Sequence, residues 1–303
     1  MRIVYMGTPD FAVPALKALC EDGWKVVAVV TAPDKPKGRG QQLGFSPVKE
    51  AALELGIPVL QPNNLKAQEF IDELRSFKAD IQVVVAFRML PEIVWNMPPK
   101  GTFNLHASLL PNYRGAAPIN WAIINGEKET GITTFFLKHE IDTGNLIFQE
   151  KEPIYPEDNV GSVYQRLMEK GARLVVKTIE AISENKITVR PQDESLAVHH
   201  APKIFKETCK IDWSKSAESI HNLVRGLSPY PTAWTILNDK ICKIYLTKVN
   251  SNNLQTLSPG EYQTDGKSYL YFKTGEESLE ILELQLEGKK RMEIGEFLRG
   301  NKL

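Results

Sequence analysis

Short apolar runs alternate with helical patterns from residue 2 to residue 183, and this alternation limits the fold more than any other feature of the chain. Residues 2–6, 25–31, 80–86 and 101–106 read as strands. Residues 11–21, 46–55 and 65–77 between them carry helical patterns. Ser46 is placed to cap the second helix and Pro47 to fill its first position. Strands separated by helices need crossover connections, and crossovers build a parallel sheet. Residues 131–137 (GITTFFL) and 145–150 add strands, and a helix over 160–183 closes the block. The expected fold class is α/β, with a Rossmann-like, mostly parallel sheet.

The pattern changes near Val189. RPQDESLAVHHAPK mixes proline, charges and two histidines, which suits a linker. After a helix over 217–225 come four short strand-like runs, TAWTIL, KIYLTKV, YLYFK and LEILELQL. Asn238-Asp239, Pro259-Gly260 and Asp265-Gly266 separate them, the signature of a small β-barrel or sandwich. The expected division is 1–189, a linker at 190–208, and a second domain at 209–303.

Lysine plus arginine and aspartate plus glutamate balance at 37 each in a chain of 303 residues. Bulk attraction to a polyanion is thereby excluded, and any nucleic-acid surface must be a local patch. From residue 203 onward fifteen Lys or Arg face thirteen Asp or Glu, a difference of only +2, so the same holds for the C-terminal part. Lys203, Lys206, Lys210 and the Lys289-Lys290-Arg291 run are the candidate stripe there; a solvated hairpin edge is the plain alternative for the run. No segment reaches the roughly 18 uninterrupted apolar residues of a membrane span, and the start, MRIVYMGTPD, lacks a secretory pattern. A cytoplasmic protein is expected. Cys20, Cys209 and Cys242 are far apart and fit no zinc spacing, so reduced thiols and no metal are expected.

Several stretches carry chemistry. GTPDF, Gly7 to Phe11, is a glycine turn into a helix. It is either a phosphate-facing helix start or simply a tight turn, and it is not a GxGxxG fingerprint. APDKPKGRGQQLG, Ala32 to Gly44, carries Lys35, Lys37 and Arg39, which suit phosphate contacts or a solvated loop. In FNLHASLLPNYRGAAPIN, Asn104 and His106 stand at i and i+2 and so share a strand face. They lie near the C-terminal end of a strand, where open α/β sheets bind ligands. An amide donor and a titratable imidazole can hold an oxyanion and move a proton. Asp142, in HEIDTGN, is either a turn carboxylate or the group that orients His106. His139 is read as a loop residue, and His199 and His200 as surface residues of the linker.

GTPDFA, DKPKGRG, FNLHASLLPNYRGAAPINWAI, GEKETGIT, DTGN, IDWSKSA and RGLSPY together resemble the methionyl-tRNA formyltransferases of the folate-dependent formyltransferase family, along the whole chain. The resemblance implies 10-formyltetrahydrofolate as donor, initiator methionyl-tRNA as acceptor, and an OB-like C-terminal domain that touches tRNA. It implies Asn104, His106 and Asp142 as the catalytic trio, with Ser108, Leu109, Leu110 and Pro111 as folate contacts. Phe87, Arg88 and Leu90 fall in the segment that lines the pterin pocket, where Ala86-Phe87-Arg88 departs from the usual AYG. Lys35, Lys37 and Arg39 lie in the loop that follows the tRNA acceptor arm. A monomer is expected. The expected mechanism is direct transfer, with Asn104 and protonated His106 stabilising the oxyanion and Asp142 orienting His106. The rivals are an amino-sugar formyltransferase and a non-catalytic RNA-binding protein.

Overall fold

The computed structural model describes residues 1–37, 42–251 and 254–303. The chain begins β1 (Arg2–Gly7), α1 (Val13–Glu21), β2 (Lys25–Val30), β3 (Lys35–Lys37), β4 (Gln42–Gly44), α2 (Pro47–Glu54), β5 (Val59–Leu60), α3 (Gln68–Ser76), β6 (Ile81–Val85) and α4 (Glu92–Trp95). It continues β7 (Thr102–His106), β8 (Arg114–Gly115), α5 (Pro118–Ile124), β9 (Glu129–Phe136), β10 (Leu146–Pro153) and α6 (Val160–Ser183). Ser46 caps α2 as its position predicts, its hydroxyl accepting from the Lys49 amide at 3.1 Å. The third helix begins at Gln68 and not at residue 65. The Asn64 side chain takes the Lys66 amide at 2.9 Å and turns the chain before the helix can start.

The chain divides into two compact units. The first comprises Met1–Gly115, Gly131–Glu152 and Tyr164–His200; the second comprises Ala116–Thr130, Pro153–Val163 and Ala201–Leu303. In the first, seven strands lie in the order β10-β9-β7-β6-β1-β2-β5. β7, β6, β1, β2 and β5 run parallel, and β9 pairs antiparallel with β7. The sheet is mostly parallel, as the strand–helix alternation requires. The order reverses between β6 and β1, the kind of position outside whose strand ends open α/β sheets bind ligands. Val4, Met6, Val30 and Val84 pack with Phe70 and Leu74 of α3 in one buried cluster. Each such side chain contributes roughly 1.5–3 kcal/mol of burial. On the other flank a Cβ at Gly171 of α6 would lie 2.7 Å from Leu105 Cδ2, so the missing side chain lets the helix sit down on β7.

After β11 (His200–Ala201), which ends at the first residue of the Ala201–Leu303 stretch, the second unit continues through α7 (Ala217–Leu227), β12 (Ala233–Leu237), β13 (Lys240–Asn250), β14 (Tyr262–Thr264), β15 (Leu270–Lys273), β16 (Ser278–Leu286), β17 (Met292–Glu293) and α8 (Ile294–Gly300). Its strands form one antiparallel sheet, β12-β13-β16-β15-β14, with β17 on β16. Register shifts between Ile244 and Thr247 bend β13, the usual way a sheet curls toward a half-barrel. Asn238 and Asp239 both have positive φ, 49° and 60°, as a tight hairpin turn demands. Ile220, Val224 and Leu227 of α7 share a core with Ile244, Leu279, Leu284 and Phe297.

Candidate active site

Asn104 and His106 stand on β7, opposite Phe135 and Thr133 of β9. Asn104 is half-buried. Among the described residues its carboxamide has no hydrogen-bond partner. His106 is 6% exposed, and its Nε2 lies 2.9 Å from the main-chain oxygen of Tyr113. A carbonyl only accepts, so Nε2 carries a proton, and the ring is either the Nε2–H tautomer or the imidazolium. Its other nitrogen, Nδ1, is 3.9 Å from Asp142 Oδ2. Asn104, His106 and Asp142 are thus residues of one compact unit, two on one strand face and the third beside the imidazole.

Local structure explains each position. Tyr113, whose oxygen fixes His106, has φ 60°. Its amide donates to His199 O at 2.8 Å, and its ring stacks on His199 at 5.3 Å. Asp142 also has positive φ, 57°, a region Asp tolerates better than most residues. Its Oδ2 accepts the Gly115 amide at 3.0 Å. Two residues on, a Cβ at Gly144 would meet Phe136 O at 1.5 Å, so only glycine fits there.

The segment after His106 is shaped by its neighbours. Ser108 is fully buried and donates to Asn112 O at 2.7 Å. The Thr133 hydroxyl donates to Ser108 O at 2.6 Å, and Gln149 Nε2 donates to Leu110 O at 2.8 Å. Leu110 and Pro111 are buried and Leu109 is half-buried. Leu109 lies where a Cβ on Gly131 would be, its Cδ2 at 2.5 Å. The main-chain oxygens of Ser108, Leu109 and Leu110 are thus all engaged within the protein, Leu109 O by the Asn112 amide at 3.2 Å.

After β6, Ala86 takes φ 48°. Phe87 is half-buried, Leu90 is buried and Arg88 is exposed. Arg88 reaches the carbonyl oxygens of Pro62 and Asn63, the latter at 3.1 Å, and partial burial lowers its pKa from the ordinary arginine value. It ties the ends of β5 and β6 together. In GTPDF, a Cβ at Gly7 would lie 2.7 Å from Ala12 Cβ, so glycine lets the chain pass close to the following helical turn. Tyr164 donates to Asp10 Oδ1 at 2.6 Å, and burial with that acidic neighbour raises its pKa.

Either side of the cationic stretch, β3 pairs antiparallel with β4. The base of this stretch is held by Asp34, Lys49 and Gln61, with Lys49 Nζ 2.5 Å from Asp34 Oδ2 and 2.7 Å from Gln61 Oε1. Lys35 is exposed, Lys37 lies in β3, and Arg39 lies outside the described residues. In the second unit, Lys206 and Lys210 both lie over the Trp234 ring, at 5.7 and 5.8 Å, and Lys203 lies 5.5 Å from the Phe205 ring. The 289–291 run is partly spent on Glu296 and Glu283. His139 is exposed and lies 3.1 Å from Glu92; His199 and His200 are exposed. Among the described residues no group of three His, Cys, Asp or Glu is gathered to hold a metal. No helix among them is long and apolar enough to cross a membrane.

Two further side chains brace the Asp142 loop, and the first had no signal in the local pattern. Gln192, in the stretch read as a linker, donates through Nε2 to Asp142 O at 2.7 Å and to Gly144 O at 2.9 Å. Arg114 donates to Gln192 Oε1 and forms a two-pronged pair with Glu194. That pair holds the Glu194 carboxyl below its usual range.

Comparison with known proteins agrees with this architecture. The model of the family described as Formyl transferase matches residues 1–179, and that of Formyl transferase, C-terminal domain, matches residues 203–302. A methionyl-tRNA formyltransferase of Bacteroides fragilis is 55% identical, covering 99% of this chain and 95% of its own length. One from Bacteroides thetaiotaomicron is 53% identical, covering 100% and 96%. Among solved structures, WlaRD, a sugar 3N-formyl transferase in the presence of dTDP and 5-N-formyl-THF, superposes with a TM-score of 0.70. It is 20% identical and covers 96% of this chain and 99% of its own. HypX from Aquifex aeolicus in complex with tetrahydrofolic acid gives a TM-score of 0.64 at 18% identity, covering 99% of this chain and 48% of its own. At such identities the two share the fold. The chain belongs to the formyl transferase family, in the group of the methionyl-tRNA formyltransferases.

Proposed function

We propose that the chain transfers the formyl group of 10-formyltetrahydrofolate to the α-amino group of methionine on initiator methionyl-tRNA, for translation initiation. The observation that carries this reading is the likeness to methionyl-tRNA formyltransferases through both units, at 53–55% identity. The donor, when bound, supplies an electrophilic formyl carbon. Phe87 and Leu90, with the segment Ser108, Leu109, Leu110 and Pro111, hold it; Arg88 braces that wall. The fit rests on Asn104, a half-buried amide with no hydrogen-bond partner among the described residues, beside a buried imidazole at the C-terminal end of a sheet strand.

Asn104 and His106 donate to the oxygen on which negative charge grows in the transition state. Each donor fixed in advance contributes about 2.7–4 kcal/mol. His106 Nε2–H is already engaged with Tyr113 O, so Nδ1 is the nitrogen open to reaction. Asp142 lies beside Nδ1. The amine bonds the formyl carbon as the bond from that carbon to the donor nitrogen breaks, and the proton the amine loses passes through water and Asp142 to that nitrogen, which leaves as tetrahydrofolate. Residues 1–189 are the catalytic domain, 190–208 the linker and 209–303 the tRNA-binding domain. Lys35, Lys37 and Arg39 contact tRNA phosphates, and Trp234 with Lys206 and Lys210 offers a base-stacking and cationic face. The enzyme is a cytoplasmic monomer without a membrane partner.

The test offers labelled 10-formyltetrahydrofolate with charged initiator tRNA, uncharged tRNA or a nucleotide-linked amino sugar. Label on charged tRNA alone is expected. Label on the sugar, or on nothing, refutes the reading.

A further inference from the structure

The Gln192 carboxamide is buried and uses its whole hydrogen-bonding capacity. Nε2 donates twice, to Asp142 O and Gly144 O at 2.7 and 2.9 Å. Oε1 accepts twice from Arg114, from Nε at 3.1 Å and Nη2 at 2.6 Å. Donors facing carbonyls and an acceptor facing a guanidinium fix which end of the amide is which. Arg114 is fixed in turn by Glu194, at 2.7 and 2.8 Å.

These bonds bear on the carboxylate indirectly. Asp142 sits at φ 57°, a conformation that persists where its surroundings enforce it. Gln192 grips the peptide carbonyls of Asp142 and Gly144. The residue after Arg114 supplies the amide that Oδ2 accepts. One side chain thus holds the Asp142 backbone, and one short strand holds both that side chain and the carboxylate.

We propose that Gln192 is a positioning residue for the transfer: by holding the Asp142 loop it sets the placement of the carboxylate beside His106 Nδ1, and Arg114 with Glu194 sets Gln192. The inference rests on the functional reading above. A misplacement of about 1 Å at reacting groups costs up to about a hundredfold in rate. Gln192→Glu keeps acceptors for Arg114 but sets a carboxylate against two carbonyl oxygens. Gln192→Met removes both sets of bonds at similar volume.

The test measures kcat and KM for the donor and for charged tRNA in both variants, with thermal melting as a check on folding. We expect kcat to fall about ten- to a hundredfold in each, with both KM values within about twofold of wild type. Folded variants with wild-type kcat overturn the proposal, as does a loss confined to KM. If neither variant folds, Arg114→Lys decides. It keeps the amide donors but loses the fork, and a several-fold lower kcat supports the proposal while an unchanged one overturns it. A wild-type protein inert toward charged tRNA refutes the functional reading and this inference together, whereas active wild type with unaltered variants refutes this inference alone.

Discussion

His106 holds its Nε2 2.9 Å from the main-chain oxygen of Tyr113, so the Nδ1 edge of the ring is the one turned to Asp142, at 3.9 Å. The two nitrogens therefore have separate duties, one structural and one chemical. Glutamine places an amide near Nε2 and nothing at Nδ1. His106→Gln should preserve the bond to Tyr113 O and the melting temperature, yet lose a hundred- to ten-thousandfold in kcat, the range of general acid–base catalysis. Steady-state kinetics beside a thermal melt check this; a kcat within tenfold of wild type would place the chemistry elsewhere.

Asp142 both anchors and charges the site. Its Oδ2 accepts the Gly115 amide, a bond that an asparagine oxygen can replace, whereas its negative charge cannot be replaced. Asp142→Asn is expected to stay folded and to lose about a hundredfold or more in kcat, with donor affinity little changed. Equal loss of donor binding would instead make Asp142 a folate contact.

The Asp142 loop depends on Gly144, where a Cβ would lie 1.5 Å from Phe136 O. Gly144→Ala must displace main chain and with it Asp142. A lower melting temperature together with lost transfer is expected. A stable, active Gly144→Ala protein would contradict the geometry of the loop.

Arg39 is assigned to tRNA through the resemblance of its loop. Arg39→Ala should raise KM for charged tRNA and reduce the slope of log KM against log salt by about one. The donor KM should not move; its rise would reassign the residue.

His221, in the second unit, bonds Thr247 Oγ1 at 2.9 Å, and burial, then the nearby Arg225, lower its pKa to about 4. The unfolded chain takes up this proton near pH 6.5. Stability from the neutral ring is therefore complete above about pH 6.5 and declines as the pH falls toward 4. Asparagine can keep the bond to Thr247 without titrating there. His221→Asn should lose less stability than wild type between pH 7 and pH 5 in urea unfolding; parallel losses would refute this.

The regular part of the fold was legible because it is written in local chemistry. Ser46 and Pro47 mark a helix start wherever they stand together before an apolar pattern, and the alternation of strands and helices forces a mostly parallel sheet. Asn104 and His106 were legible because period two puts i and i+2 on one face. Gln192 was not legible. It acts on Asp142 across fifty residues of sequence, through an amide in a proline- and charge-rich stretch without periodicity. The same holds for the Tyr113 carbonyl, since every residue has one and only the tertiary fold selects which one orients an imidazole. Asn64 moved a helix start by trapping one amide, a competition that apolar patterning does not register.

The central claim is that Asn104, His106 and Asp142 act together in formyl transfer to charged tRNA. Single-turnover transfer of labelled formyl from saturating 10-formyltetrahydrofolate to charged initiator tRNA, with wild type and Asn104→Ala side by side, tests it most directly. The account predicts transfer by wild type and a rate about a hundred- to a thousandfold lower in the variant, with donor binding unchanged. A near-wild-type rate for Asn104→Ala would contradict it.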